Sequence, residues 1–411
     1  MSDFLEPPKR YNKKDEPKSG EREKIIRSSS VKTKKWKNDF LLIGGMDIPF
    51  FALTIALVTI GLVMLFSATY PYALQNKGNS YYFFKKQFIY TVLGVIVMLA
   101  MSKINYRIFK RFLYLIFFGT IGLLGLVLVY HTNVPGGFKR WIPVIGSLTI
   151  QPSDIAKFTI VLVFADYISK NHKHMKEPIT GIVVPMGIIA LFCGLIFLEH
   201  HNSGTILVFC IGAVMMFCGG SNWKLFVLGA ALVGAVVAFV IINPDVLMKY
   251  AGERIEAWLN KDFDPLGARW QTNNSLYAIG SGGIFGAGLG NSKQKFLYVS
   301  EPQNDFIFSI VCEELGFVGA TVIIVIFALL FIRGIMIAMK CKDRFGSLLV
   351  VGIVSQVAIQ TIFNILVVTD TIPNTGIALP FFSYGGTSIL MLMFEMGVVL
   401  SVSRKSNQQT S

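Results

Sequence analysis

The chain has 411 residues, of which 53% are hydrophobic and only 15% charged, with a mean hydropathy of +0.58. That charged share lies well below the ~25% of soluble domains, which excludes an ordinary soluble fold and points to the bilayer. The net charge of +14 is no nucleic-acid footprint, because the Lys and Arg residues gather in the N-terminal tail and in short loops between apolar runs, the positive-inside pattern.

In chain order, residues 1–45 form a basic tail that lacks the apolar core of a signal peptide and is expected to be cytoplasmic and disordered. Apolar runs suited to a ~30 Å hydrocarbon core then fall near 48–70, 87–102, 112–130, 154–168, 179–198, 204–220, 224–243, 306–335, 346–368 and 385–403. The second run is short and extends back toward Tyr81. Residues 46–403 therefore read as a membrane domain of about ten helices, and 404–411 as a short cytoplasmic tail. With the N-terminus inside, 26 of the 38 Lys and Arg lie on the cytoplasmic side and 11 outside, with Lys157 within a span. The prediction is an all-α polytopic fold, N-in and C-in.

One outer loop, 244–305 between spans 7 and 8, dominates the connections, and loops this long are usually functional. It carries Arg254, Trp258, Arg269, Trp270 and Gln271, then the glycine-rich run 280–290. That run does not fit G-x-G-x-x-G and no βαβ unit surrounds it. It reads either as a flexible re-entrant turn or as backbone passing close to a ligand. No nucleotide, haem or flavin is expected. The five cysteines have no metal or redox spacing. The basic loop at His172 and His174 and the outer turn Glu199-His200-His201 are read as loops rather than metal sites.

Ionisable groups within spans cost at least ~2.5–3.5 kcal/mol each at the bilayer centre and mark a function or a partner. They are Asp154, Lys157, Asp166, Asp305, Glu313, Glu314 and Glu395. Ser153 is the expected N-cap of the fourth span. Asp154 and Lys157, three apart, share a helix face, either as a self-neutralising pair or as a cation presented to a phosphate. Asp305 opens the eighth span, either as a dipole-stabilised carboxylate or as a general base. Glu313 and Glu314 read as interhelical hydrogen-bonding groups. Gln356, Gln360 and Asn364 make a polar stripe that faces other helices or a wet cavity. Two prolines and three glycines in 373–388 forbid a continuous helix and predict a structured re-entrant segment before the last span.

Several of these segments resemble the SEDS family of shape, elongation, division and sporulation proteins, which includes FtsW and RodA. They are Arg140-Trp141-Ile142 with Gln151-Pro152-Ser153-Asp154-Ile155-Ala156-Lys157, Glu301-Pro302-Gln303-Asn304-Asp305-Phe306-Ile307-Phe308 with Glu313-Glu314-Leu315-Gly316, and Leu379-Pro380-Phe381-Phe382-Ser383-Tyr384-Gly385-Gly386. Asp154 stands where the family has Glu, and His200-His201-Asn202-Ser203-Gly204-Thr205 replaces a P-D/N-L-G-T turn. The long basic tail and Thr375-Gly376-Ile377 look more like the division or sporulation type than the elongation type.

The resemblance implies an inverting peptidoglycan glycosyltransferase of the bacterial cytoplasmic membrane. Such an enzyme polymerises lipid II at the outer face, paired with a class B penicillin-binding protein and with other divisome or elongasome proteins. Asp305 is then the base for the acceptor hydroxyl. Lys157 and Arg140 face the pyrophosphate, with Asp154 orienting Lys157. Trp141, Gln151, Ser383, Gln356 and Gln360 complete the expected substrate contacts. A divalent cation, magnesium or manganese, is admitted as Lewis acid. A lipid II flippase and a non-catalytic scaffold are the rival readings; charged residues at 305 and 157 and the lack of an inverted repeat favour the enzyme.

Overall fold

The computed structural model describes residues 42, 44–130, 140–145, 148–224, 252–267, 269–296, 298–299 and 301–408. The elements in order are α1 (Ile48–Lys77), α2 (Tyr82–Lys103), α3 (Arg107–Arg111), α4 (Leu113–Val129), β1 (Ile142–Ile145), β2 (Leu148–Ile150), α5 (Pro152–Asn171), a π-helical turn (Ile179–Val183), α6 (Val184–Leu198), α7 (Asn202–Cys218), α8 (Gly252–Leu259), α9 (Trp270–Gly282), α10 (Ile307–Lys340), α11 (Arg344–Val368) and α12 (Gly386–Gln408). Among the described residues, six helices are long and apolar enough to cross a membrane: α1, α2, the turn with α6, α10, α11 and α12; α4 and α7 are shorter apolar helices. The expected seventh span and nearly all of the basic tail lie outside the described residues.

Local chemistry sets the helix ends. Asp47 caps α1 by accepting the Phe50 N–H at 3.0 Å, Pro49 follows in the first turn, and Gly78 closes the helix in the left-handed region with φ 65°. Asp47 also holds Arg333 of α10 through two 2.9 Å bonds. The first and last helices meet at that end: Ser403 Oγ accepts the Asp47 N–H, Arg404 donates to Gly44 O, and Asn407 donates to Gly45 O. The end of the tail is therefore docked, and α12 runs to Gln408, so 404–408 continue a helix rather than forming a separate tail. The largest helix–helix interface joins α12 to α2, and α11 packs between α10 and α5.

The fold departs from the all-α expectation at one place. β1 and β2 form an antiparallel hairpin with Ile142 opposite Ile150 and Pro143 opposite Thr149. The apolar, β-rich stretch Trp141-Ile-Pro-Val-Ile145 favours extended backbone, and Thr387 Oγ donates to Thr149 O at 3.0 Å, pinning the hairpin to the start of α12. The hairpin leads straight into α5, whose N-cap is Gln151 with Pro152 in the first turn. Ser153 thus lies inside the helix and does not cap it.

Two irregular segments enter the bundle. Residues 371–385 carry no helix, and Ile377, Leu379, Phe381 and Phe382 are buried. Phe381 and Phe382 pack on Phe327 of α10, and the Phe381 carbonyl lies against Gly61 near the middle of α1, where a Cβ would stand 2.3 Å away. Protein surrounds this irregular backbone, as membrane depth requires. The second segment is the glycine-rich run. The helix geometry of α10 breaks at Gly316 (φ 67°, ψ −171°), and the run fills the break. Ala287 and Gly288 donate to the carbonyls of Glu313 and Glu314, while Phe317 and Val318 donate to Gly283 and Ile284. A Cβ at Gly316 would stand 2.2 Å from the Gly286 nitrogen. Gly282, Gly286 and Gly316 thus serve a close approach between the run and α10.

Glu313 and Glu314 lock this junction. Glu313 accepts from Ser292 Oγ and from the backbone N–H groups of Lys293 and Gln294. Glu314 pairs with Lys295 at 2.8 Å, both side chains 0% exposed, and accepts from Ser67 Oγ of α1 at 2.7 Å. Lys295 also donates to Gly290 O at 2.6 Å. Glu314 does bridge elements, as expected, but its main partner is a lysine of the connecting loop.

Candidate active site

The site is built where the 371–385 segment, the turn before α10, the β-hairpin and the α6–α7 turn converge on the tops of α5, α11 and α12. Asp305 lies two residues before α10, with Phe306 as the N-cap, so it stands ahead of the helix and not within its first turn. Its backbone is held firmly. Asn364 of α11 donates to Asp305 O at 2.6 Å and to Ile377 O at 2.7 Å. Ser383 Oγ donates to Asn304 O at 2.7 Å and accepts the Leu379 N–H, and the Tyr384 N–H reaches Gln303 O. Gly376, at φ 71°, lets the opposite strand pass so closely that a Cβ would stand 3.2 Å from Asp305 Oδ2.

The Asp305 carboxylate itself has no hydrogen-bond or ion-pair partner among the described residues. Burial and the neighbouring Glu301 charge push it up to about 6, against the pull of Arg254 and Arg140. Arg140 donates to His200 O. Its charge is disfavoured by burial and by Arg254, and favoured by Asp305 and Glu199. Arg254, on α8, donates to Asn374 O at 3.3 Å and borders a recess of about 310 Å³ lined also by Trp258, Arg269, Trp270 and Asp370. Arg269 is committed there: it pairs with Asp370 at 2.7 Å and donates to Ala257 O.

One layer deeper, Lys157 pairs with Asp154 at 2.8 Å, and Ser388 of α12 donates to Asp154 at 2.5 Å. Lys157 reaches back toward the helix start, the direction its Cβ sets. Below them Glu395 of α12, 0% exposed, accepts from Gln356 Nε2 at 2.9 and 3.1 Å. The α6–α7 turn joins the two layers. His201 feels Arg140, Asp154 and Lys157, and burial followed by Arg140 lowers it to about 3. Glu199, fully buried with no hydrogen-bond partner on either oxygen among the described residues, is pushed up by burial to about 8, against the pull of Arg140. A neutral His201 and a protonated Glu199 leave Arg140, Arg254 and Lys157 as the site's positive charges, facing one carboxylate base.

The expected residues therefore divide. Asp305, Arg140, Asp154 and Lys157 come together. Gln356 is spent on Glu395, and Ser383 on the backbone that shapes the Asp305 loop. Gln360 is partly exposed and has no hydrogen bond among the described residues. Trp141 stands partly exposed beside Arg140 at the start of the hairpin, and Gln151 supplies the N-cap of α5. Sequence reasoning missed Arg254, Glu199, His201 and Ser388 as parts of the site. A polar triplet at 199–201 between two apolar runs was the visible signal for two of them. Among the described residues no three His, Cys, Asp or Glu side chains converge on a metal-sized space.

The FtsW/RodA/SpoVE model, described as cell cycle protein, matches residues 48–408. The chain is 40% identical to the stage V sporulation protein E of Bacillus subtilis, over 91% of this chain and 99% of that protein. It is 35% identical to the probable peptidoglycan glycosyltransferase FtsW of Trichlorobacter lovleyi, over 87% and 93%. Among solved structures it is similar to a chain of a peptidoglycan synthase complex that coordinates polymerisation and crosslinking, at TM-score 0.73 and 25% identity over 88% of this chain and 98% of that one. It also shares the fold of the rod shape determining protein RodA of Thermus thermophilus, at TM-score 0.63 and 24% identity over 88% and 97%. With the family model matching residues 48–408 and the relatives aligned over nearly the whole chain, this protein belongs to the FtsW/RodA/SpoVE family of membrane proteins.

Proposed function

We propose that the chain is a peptidoglycan glycosyltransferase that polymerises lipid II into β-1,4-linked glycan at the outer face of the bacterial cytoplasmic membrane. The observation that carries this reading is the Asp305 carboxylate, bare of side-chain partners among the described residues, within the field of Arg140 and Arg254 and one layer above Lys157. An aspartate raised to about 6 is ionised at neutral pH yet basic enough to accept a proton. It takes the proton of the acceptor 4-hydroxyl as that oxygen attacks the donor's anomeric carbon. The bond from that carbon to the pyrophosphate oxygen breaks on the opposite face, which inverts the configuration. Arg140, Arg254 and Lys157 hold the charge of the departing lipid pyrophosphate. Among the described residues no donor set builds a cage for magnesium or manganese, so such a cation would arrive with the pyrophosphate.

In this reading the apolar run 224–243 supplies a seventh span, giving ten with both ends cytoplasmic. The Lys and Arg bias and the meeting of residues 44–47 with residues 403–407 at one end of the bundle support that topology. The similarity to a synthase complex supports a class B penicillin-binding protein as partner, alongside other divisome or elongasome proteins. A sporulation role stands beside the division role, favoured by the 40% identity to the stage V protein; a deletion strain that divides normally but fails to form spores would select it. A flippase is the second mechanistic reading, favoured by the Gln356–Glu395 pair far below the outer chemistry.

The test is polymerisation of purified lipid II by the protein reconstituted with its partner, as wild type and as Asp305→Asn. Polymer from the wild type alone is expected. Equal polymer from both removes Asp305 from the chemistry. No polymer from either, with lipid II crossing sealed vesicles, replaces the enzyme by the flippase.

A further inference from the structure

The glycine-rich turn has a feature that its packing against α10 does not use. At its tip Ile284 and Phe285 are exposed, Phe285 to 81%, and Leu289 and Phe317 beside them are also exposed. The exposed polar residues Asn291 and Lys293 lie on the return leg, the exposed Ser281 of the leading leg spends its hydroxyl on Ala278 O, and the charge of Lys295 is neutralised inside by Glu314. The backbone hydrogen bonds of 283–288 to 313–318 fix the level of this tip on α10. Arg333, paired with Asp47 near the inner end of α10, marks one edge of the hydrocarbon. Counting ~20 residues outward at ~1.5 Å each sets the outer edge near Glu313 and puts Gly316, with the tip docked on it, roughly 5 Å inside. Helix α9 descends to that level and, at ~1.5 Å per residue, is too short to cross.

We propose that the turn 283–288 is a lipid-dipping hairpin whose Ile284 and Phe285 side chains lie among the upper acyl-chain carbons of the outer leaflet. This rests on the outer-face orientation given above. The chemistry agrees at each point. Backbone polar groups at this depth need internal partners, and the α10 break supplies four of them. Lys295, carried to this level, is ion-paired with Glu314. The apolar side chains that face away from protein are those for which an acyl chain is the matching solvent. The hairpin thereby fixes the height of the first turns of α10, and so of Asp305, relative to the membrane surface.

The experiment attaches an environment-sensitive fluorophore at Phe285→Cys in a background with the five native cysteines replaced. The protein is reconstituted alone into phosphatidylcholine–phosphatidylglycerol vesicles containing lipids doxyl-labelled at carbon 5 or carbon 12. Leu329→Cys, exposed in the inner half of α10, and Lys261→Cys, exposed in the loop after α8, are the controls. All three labelled proteins must unfold as the background protein does. The expected result at 285 is quenching at least twofold stronger by carbon-5 than by carbon-12 label, with aqueous iodide ineffective. Iodide quenching at 285 as strong as at 261, while doxyl lipid quenches at 329, overturns the hairpin and leaves the span intact. Quenching at 285 by neither agent, as when a second copy covers the tip, overturns it as well. Failure of doxyl quenching at 329 removes the span reading itself.

Discussion

Replacing Asp305 by asparagine should stabilise the protein as it abolishes activity. The carboxyl ordinarily ionises near 3.8 and in the fold at about 6, so the folded state keeps a proton that the unfolded chain releases. Stability must then fall as pH rises from about 4 to about 6, where the native state binds more protons than the unfolded one, and level off above. At ~1.36 kcal/mol per pH unit the penalty is at most about 3 kcal/mol, and the partial solvent contact of Asp305 reduces it to about 1–3 kcal/mol. Asparagine keeps the shape, forfeits no hydrogen bond of the carboxylate among the described residues, and removes the charge. Thermal unfolding in the same detergent at pH 8, 6 and 4 should show Asp305→Asn more stable at pH 8, with the gap closing toward pH 4. An Asp305→Asn protein no more stable at pH 8, or a gap that does not depend on pH, refutes the claim that burial works against this carboxylate.

Glu199→Gln should keep near-wild-type polymerisation at pH 7, since Glu199, held up to about 8, is already protonated there, and should lessen the loss of activity expected of the wild type above pH 8 as Glu199 ionises beside Arg140; a pH–rate profile checks both. Lys295→Met strands the buried Glu314 and should cost about 3–5 kcal/mol in denaturant titration, whereas Lys295→Met with Glu314→Leu should recover most of it. Lys157→Met strands Asp154 in the same way, and should remove polymerisation while the protein still binds its partner in a pull-down. Gly316→Ala meets both a left-handed backbone and the Gly286 nitrogen, and should destabilise by at least about 1–3 kcal/mol in the same titration.

What sequence shows of this fold is what local periodicity can carry. Among the described residues each expected apolar run became a helix, with the second reaching back to Tyr82 as foreseen. Pairs three or four apart were equally legible: Asp154 and Lys157 share a face and a bond, and the 356–360–364 stripe points inward at two of its three positions. Contacts between distant segments were not. Lys295 counts as a basic outer-loop residue by composition, yet it is among the most buried charges in the chain, because its partner lies on another element. The glycine run offered two readings, a flexible turn or an approach to a ligand, and neither included its packing into the break of α10, which depends on Gly316 some thirty residues on. Ser383 sits in one of the motifs that carry the resemblance and serves the backbone, while Arg254 and Glu199 reach the site from segments whose local sequence says only loop.

The seam between the chain's two ends bears on how the protein is made. Helix α2 has its largest interface with α12, and Gly44, Gly45 and Asp47 take their partners from residues 403–407. A ribosome delivers those partners long after α1 and α2, so that hairpin must wait in the bilayer, lacking its main neighbour, until α12 has been made. Contacts of such long sequence separation form late and leave apolar and polar surface open in the interval. Nascent chains halted before residue 386 should therefore be the species that quality-control proteases remove, and the docking of α12 the step that commits the molecule to its fold.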